Sequence, residues 1–525
     1  MVLHARRRLD AAIDRIASPV RRRAAIDPRG LAAFRIGLGT VILIDLLMRS
    51  RDLTALYTES GVLSREALAS AYPPLATYSL HVHAEALAGT AGVAFLFVLA
   101  AIAAFALLIG YRTRIAVAVS LALALSLQAR NPFVLNSGDL LLWQLLALSL
   151  FLPVGSRWSI DSTRTGGRAD DRTGVDVADG DDPERVASLA TVTLLVHVTL
   201  VYVSNAIFKF RGDHWAAGDG AAIAFSMDQF TVLAGPWIAQ SPPVLTAINY
   251  LWLGLLVVSP LLVLAAGRLR TALAAGIAGG HLGMTVTMAI AIFPLVSFVS
   301  LLVFFGPGMW DRVETTVTRI LPLRRSVSGG HSEQPVDHSE QSVGHFEQPV
   351  DRSGSNPSRS MAIRVLRAVP IVLIACLLVG SLAWNVAALG YVDLGGNGGI
   401  DPADHGWEMF APDPSGVDRW FVINAESASG ERFDGFGRSS VTTDPPPDVA
   451  ETHPTARWRK YLIAISVEDD PAVSRSTAAH FCDRVEERTG EPIESVRITY
   501  VERRVWPEPA DGTGTNRLVT HDCRE

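Results

Sequence analysis

Lysine is nearly absent from this chain: of 46 basic residues only Lys209 and Lys460 are lysines. A vocabulary rich in arginine and alanine explains the scarcity, yet Lys209 stands at the end of an apolar run, residues 189–208, where a membrane helix would meet its rim. An ammonium loses its proton when desolvated, whereas a guanidinium does not. Lys209 is therefore a candidate general base, set against the plainer role of a helix-end lysine whose amine snorkels to the interface. Tyr202 and Asn205 precede it at spacings of three and four, so the three residues share one helical face. A polar face on a membrane helix points to the bundle interior or to a wet cavity. His214 and Trp215 follow within reach of the same rim, and Asp45, Asn136 and Asp139 stand at the same ends of other runs. The expected site has Lys209 as base and Tyr202, Asn205, Asp45, Asn136, Asp139, His214 and Trp215 lining a substrate pocket on one side of the membrane. No metal is expected.

The elements that must position these residues are apolar helices. Hydrophobic residues make up 49% of the 525 and the mean hydropathy is positive, in long runs with few charges. A run of about 20 such residues crosses a bilayer core as a helix. The expected fold is mainly α: a polytopic helical membrane bundle of about nine spans, with a small C-terminal α+β domain outside the membrane. The spans are read at 31–49, 87–110, 115–128, 140–154, 189–208, 244–266, two within 271–305, and 368–390, with Ser137 or Asp139 capping the fourth. No apolar core precedes residue 31, so no cleavable signal is expected. Residues 1–30 form a basic tail, 31–310 the transmembrane domain, 311–365 a linker, 366–390 the last span and 391–525 the C-terminal domain. The linker contains a seven-residue repeat from His331 to Asp351, interrupted by Pro335 and Pro349 and lacking the apolar positions of a coiled coil. The polar stretch 155–185 has no apolar period and reads as disordered.

Short basic loops at 112–114, 268–270 and 324–325 fall on one side, which predicts a cell-membrane protein with a cytoplasmic N-terminus and an extracytoplasmic C-terminal domain. That domain carries 25 acidic and 14 basic residues. Residues 419–425, 458–465 and 495–503 read as strands, and 478–488 as a helix. Cys482 and Cys523 can pair if the domain is outside the cytoplasm. His81, His83 and Glu85 read as a solvated loop rather than a metal site. His281, alone at mid-membrane depth, is either a site or a satisfied core histidine. A net charge of −6 and an apolar chain point to membrane lipids as partners and not to nucleic acid.

Five stretches in order resemble the horizontally transferred transmembrane domain family, the membrane part shared with vitamin K-dependent gamma-carboxylases. They are residues 34–45, 57–65, 136–143 and 209–215, with 406–414 (GlyTrpGluMetPheAlaProAspPro) resembling a segment that follows the last span. The resemblance implies that Lys209 matches the lysine thought to deprotonate a reduced quinone; oxygenation then yields a stronger base that removes a glutamate γ-proton for carboxylation. Near Asn136 the carboxylases carry a histidine, whereas this chain has Ser137 and Gly138, which separates carboxylation from the shared membrane fold. Two readings follow. One is an enzyme with Lys209 as base on a reduced quinone or another lipid-soluble substrate, acting on a secreted or membrane protein. The other is a non-catalytic scaffold or export factor presenting the C-terminal domain. A transporter is disfavoured because no inverted repeat is visible.

Overall fold

The computed structural model describes residues 19–164, 185–320, 357–393, 402, 406–468, 470–510 and 512–524. The first part of the basic tail, most of the stretch 155–185 and the seven-residue repeats lie outside the described residues.

Among the described residues five helices are long and apolar enough to cross a membrane: α1 (Pro28–Ser50), α2 (Leu80–Ile109), α3 (Thr113–Arg130), α5 (Leu189–Lys209), and the Val369–Ala388 part of α10 (Pro357–Ala388). All but α5 keep an outward apolar face; Leu47, Phe95, Ile102 and Ile115 are exposed there, as a lipid surround would favour. α1 shows how the sequence builds such a helix. Asp27 accepts a hydrogen bond from the Arg29 N–H, Pro28 opens the first turn, and Leu31, Phe34, Leu38, Val41 and Ile42 form the inward stripe. The same stripe ends in Asp45 and Arg49, so the spacing that buries the apolar residues also buries two charges.

The expected count of nine is not reached, for reasons of length and composition. α4 (Ser137–Ser149) has 13 residues and spans about 20 Å against the roughly 30 Å of a bilayer core. α6 (Pro242–Val257) has 16 and stops before Pro260. α7 (Gly267–Thr287) has the length, but Arg268, Arg270, His281 and its glycines dilute its hydropathy. α8 (Phe293–Leu301) runs on to Phe304, then bends by 109° into the amphipathic α9 (Pro307–Ile320), so part of the expected linker is helical. Counting that bent pair as one span gives six. The cap of α4 is Asn136, which accepts from the Gly138 N–H, while Asp139 accepts from the Asn136 N–H. His81 and Glu85 are buried at the start of α2, not solvated: the His81 ring meets Ser126 and Glu85 pairs with Arg130.

The C-terminal part is an antiparallel sheet in the order β2-β1-β3-β4, formed by β1 (Val417–Ser427), β2 (Arg432–Asp434), β3 (Ile493–Arg504) and β4 (Gly514–Asp522). Two of the three expected strands are there. The third, 458–465, is instead the buried half of a helix, α11 (Ala456–Val467). Thr455 caps it, and Trp458, Tyr461, Leu462 and Ile465 recur at three, four and seven, a helical stripe that the aromatic and branched residues disguised. The expected helix at 478–488 lies within α12 (Pro471–Thr489), which packs on β3, and a Cys482–Cys523 disulfide ties it to the end of β4. Closing a loop of that span stabilises by about 2–4 kcal/mol.

Candidate functional site

Lys209 ends α5, and its side chain is buried at 1% exposure. What covers it is the segment 406–414. The amine donates to the Met409 carbonyl at 3.1 Å and the Phe410 carbonyl at 3.2 Å, and lies 3.3 Å from the centroid of the Trp215 ring. One turn earlier, Asn205 donates to the carbonyls of Trp407 (2.8 Å) and Met409 (3.3 Å). The Trp215 indole N–H donates to the Phe410 carbonyl at 2.7 Å. The Asp413 carboxylate accepts from the backbone N–H groups of Asp213 and His214, both at 3.0 Å, clasping the rim loop to the cover. Phe410 has φ +54°, a left-handed conformation that costs an aromatic residue about 1–3 kcal/mol and recurs at clamps and switches. That strain aims its carbonyl at both Lys209 and Trp215.

The face read from sequence is thus divided. Lys209, Asn205 and Trp215 are together; His214 joins through its backbone, its side chain half-exposed. Tyr202, further down the same face, meets His281 instead, with 3.3 Å between the hydroxyl and Nε2. Trp252 and Phe293 complete an aromatic surround for His281, whose Nδ1 has no hydrogen-bond partner among the described residues. No ion pair joins Lys209 to a carboxylate among the described residues, although Asp413 is near enough to act on it through space.

Asp45 and Asp139 belong to a second constellation, and Asn136 supports it as the cap of α4. Arg49 donates to Asp45 (2.7 Å), to Asp139 and to the Tyr57 hydroxyl (2.6 Å). Arg457 of α11 donates to the other oxygen of Asp45, to both oxygens of Asp139 (3.1 and 3.3 Å) and to the Val134 carbonyl (3.2 Å). Two arginines and two aspartates close a neutral, buried ring. Burial alone would pull the Arg457 guanidinium down, but Asp139 and Asp45 more than reverse it and hold the group well above its ordinary value. The sequence reading placed both aspartates on the Lys209 pocket; the structure gives them to the joint between bundle and C-terminal domain.

Arg457 is one of several residues of α11 in that joint. Asp52 accepts from the Thr455 hydroxyl (2.9 Å) and the Trp458 indole (3.1 Å). Arg459 donates to the carbonyls of Gln229 and Ala289 and lies over the Phe230 ring. The Tyr461 hydroxyl donates to the Val62 carbonyl at 2.9 Å. The signal available in sequence was an arginine pair two apart at the head of an amphipathic stripe; its partners, over 400 residues earlier for Asp45, carry no local mark.

Two cavities among the described residues, one beside Arg270 and one beside Pro471, do not include Lys209. The Met409 and Phe410 carbonyls and the Trp215 ring fill the space around its amine, so a quinone ring does not fit there with the cover in this position. No cluster of metal-ligating side chains occurs among the described residues. Comparison of the chain with protein-family models, with curated proteins and with solved structures finds no match.

Proposed function

We propose that the chain is a multi-pass membrane protein of the horizontally transferred transmembrane type, with an extracytoplasmic C-terminal domain, in which Lys209 is a general base toward a hydroxyl group of a lipid-soluble substrate. The observation that carries this reading is the company Lys209 keeps. Its amine is buried, yet it is held by two neutral carbonyls and an aromatic face, without a carboxylate partner among the described residues. A carboxylate in contact would lock the proton in place; neutral acceptors release the amine when they withdraw. The strained Phe410 and the clasp through Asp413 mark 406–414 as the part that lifts to admit substrate. The substrate hydroxyl then gives its proton to the amine nitrogen. A reduced quinone is the class implied by the family resemblance, and it would enter only with the cover displaced.

One observation favours a second reading. In the ammonium form the group has three N–H bonds and three acceptors, two carbonyls and a ring, as a latch holding the C-terminal domain would. Lys209→Arg and Lys209→Ala separate the two. In lipid nanodiscs, with a chemically reduced naphthoquinone as probe, a base reading expects oxygen uptake by the wild type and background uptake by both variants, with Lys209→Arg still folded. Uptake retained by Lys209→Arg, or none by the wild type above background, favours the latch.

A further inference from the structure

At the end of the bundle remote from Lys209, a cavity of about 70 Å³ opens between the start of α7, the bend from α8 to α9 and the segment before α1. That is several times the space a single water needs. Three arginines line it, Arg22, Arg185 and Arg270, and no acidic residue does among the described residues. Arg270 is 5% exposed; it donates to the Arg23 carbonyl at 2.7 Å and lies over the Phe304 ring, but its Nε has no partner among the described residues. Arg185 donates to the Ala25 carbonyl, and its Nε too is buried without a partner among the described residues. Neither guanidinium has an ion pair among the described residues, and the two are close enough to repel each other.

The backbone repeats the message. The 21-residue α7 begins at this cavity with Ala266 as its uncapped N-terminal flank, Gly267 in its first turn and no acidic residue there. Its first N–H groups and its dipole therefore present partial positive charge to the same space. A Cβ built on Gly267 would meet nothing within 4 Å, so the approach is open. Buried like charges without a counter-ion are unstable unless an anion joins them. Arginine forks and a helix N-terminus together suit a tetrahedral oxyanion. Leu264 and Leu269 are exposed apolar neighbours, as an acyl chain beside the site would require.

We propose that this cavity binds a phosphate group, supplied by the headgroup of a membrane phospholipid or by free phosphate, with Arg185, Arg270 and the first turn of α7 as ligands. The proposal is independent of the role of Lys209. The test uses the full chain in detergent, native mass spectrometry with short-chain phosphatidic acid or phosphatidylcholine, and thermal shift with inorganic phosphate. The expected result is retention of one phosphatidic acid in preference to phosphatidylcholine, weakened about tenfold or more in Arg185→Gln/Arg270→Gln. Because Arg270 also holds the Arg23 carbonyl and Arg185 the Ala25 carbonyl, Arg22→Gln serves as the fold-neutral variant and is expected to weaken binding in the same direction. Stabilisation by inorganic phosphate that competes with the lipid and is lost in the same variants identifies free phosphate as a ligand. Equal retention of both lipids, binding unchanged in the variants, or no binding of either probe overturns the site; the last is the result if a carboxylate of the acidic stretch before Arg185 fills it.

Discussion

Replacing Arg457 by Met should undock the C-terminal domain from the bundle. The wild-type ring holds two guanidiniums and two carboxylates, net neutral and almost free of solvent. Without Arg457, Asp45 and Asp139 share Arg49 alone, leaving one uncompensated negative charge buried. Breaking a buried pair in this way costs about 3–5 kcal/mol. Local opening of α11 is the relevant equilibrium, and 3 kcal/mol corresponds to a fall of about 100-fold in hydrogen-exchange protection of its amides. Asp139→Asn on top of Arg457→Met restores neutrality, with Arg49 facing Asp45. The double variant should therefore lose less than the sum of the singles, with a coupling of about 1–3 kcal/mol. A fall in protection of less than about fivefold for Arg457→Met, or strict additivity of the pair, would refute the view that charge balance holds this joint.

Two further expectations concern pH. His453 is pushed down to about 3 by burial and then by Arg459 and Arg438, so the unfolded chain takes up its proton near the ordinary value of 6.5 while the folded domain refuses it. Stability should be intact above that value and fall by up to about 1.4 kcal/mol per unit as pH drops toward 3; His453→Gln should flatten that limb in acid unfolding followed by tryptophan fluorescence. Asp418 is pushed up to about 7 by burial and by Asp228, with Arg503 3.8 Å away. Its contribution is present below the ordinary carboxylate value and is lost as pH rises through 7, so Asp418→Asn should stabilise the domain by on the order of 2 kcal/mol at pH 8 and change little at pH 4, measured by thermal unfolding at both.

The candidate membrane-spanning helices were legible because α1, α2, α3, α5 and α10 each carry a long apolar window with few charges. α4, α6 and α8 also read as spans, but nothing local says where a short apolar run stops being helical, and Pro260 or the 109° bend after Phe304 decides it. Lys209 and Asn205 could be paired from spacing, and Trp215 from proximity in the chain. Their true neighbours could not, because the Met409 and Phe410 carbonyls are backbone atoms some 200 residues away. Asp45 and Asp139 were assigned to Lys209 through sharing an end of the bundle. That criterion ignores Arg457 of α11, which together with Arg49 outcompetes a lone ammonium for both carboxylates by offering forked donors. The strand expected at 458–465 came from aromatic and branched content; the Thr455 cap and the spacing of Trp458, Tyr461, Leu462 and Ile465 were the better guide.

The central claim is that the cover over Lys209 must move for chemistry to occur, and locking it tests this most directly. A Cβ on Gly212 would lie 2.5 Å from the Asp413 Cγ, which puts the two Cβ atoms within about 4 Å, the range a disulfide needs. Gly212→Cys/Asp413→Cys, made with Cys376→Ser, should show no quinol-dependent oxygen uptake when oxidised and regain it on mild reduction. The Cys376→Ser parent under the same treatment controls for the Cys482–Cys523 bond. Uptake undiminished with the cover locked contradicts the account.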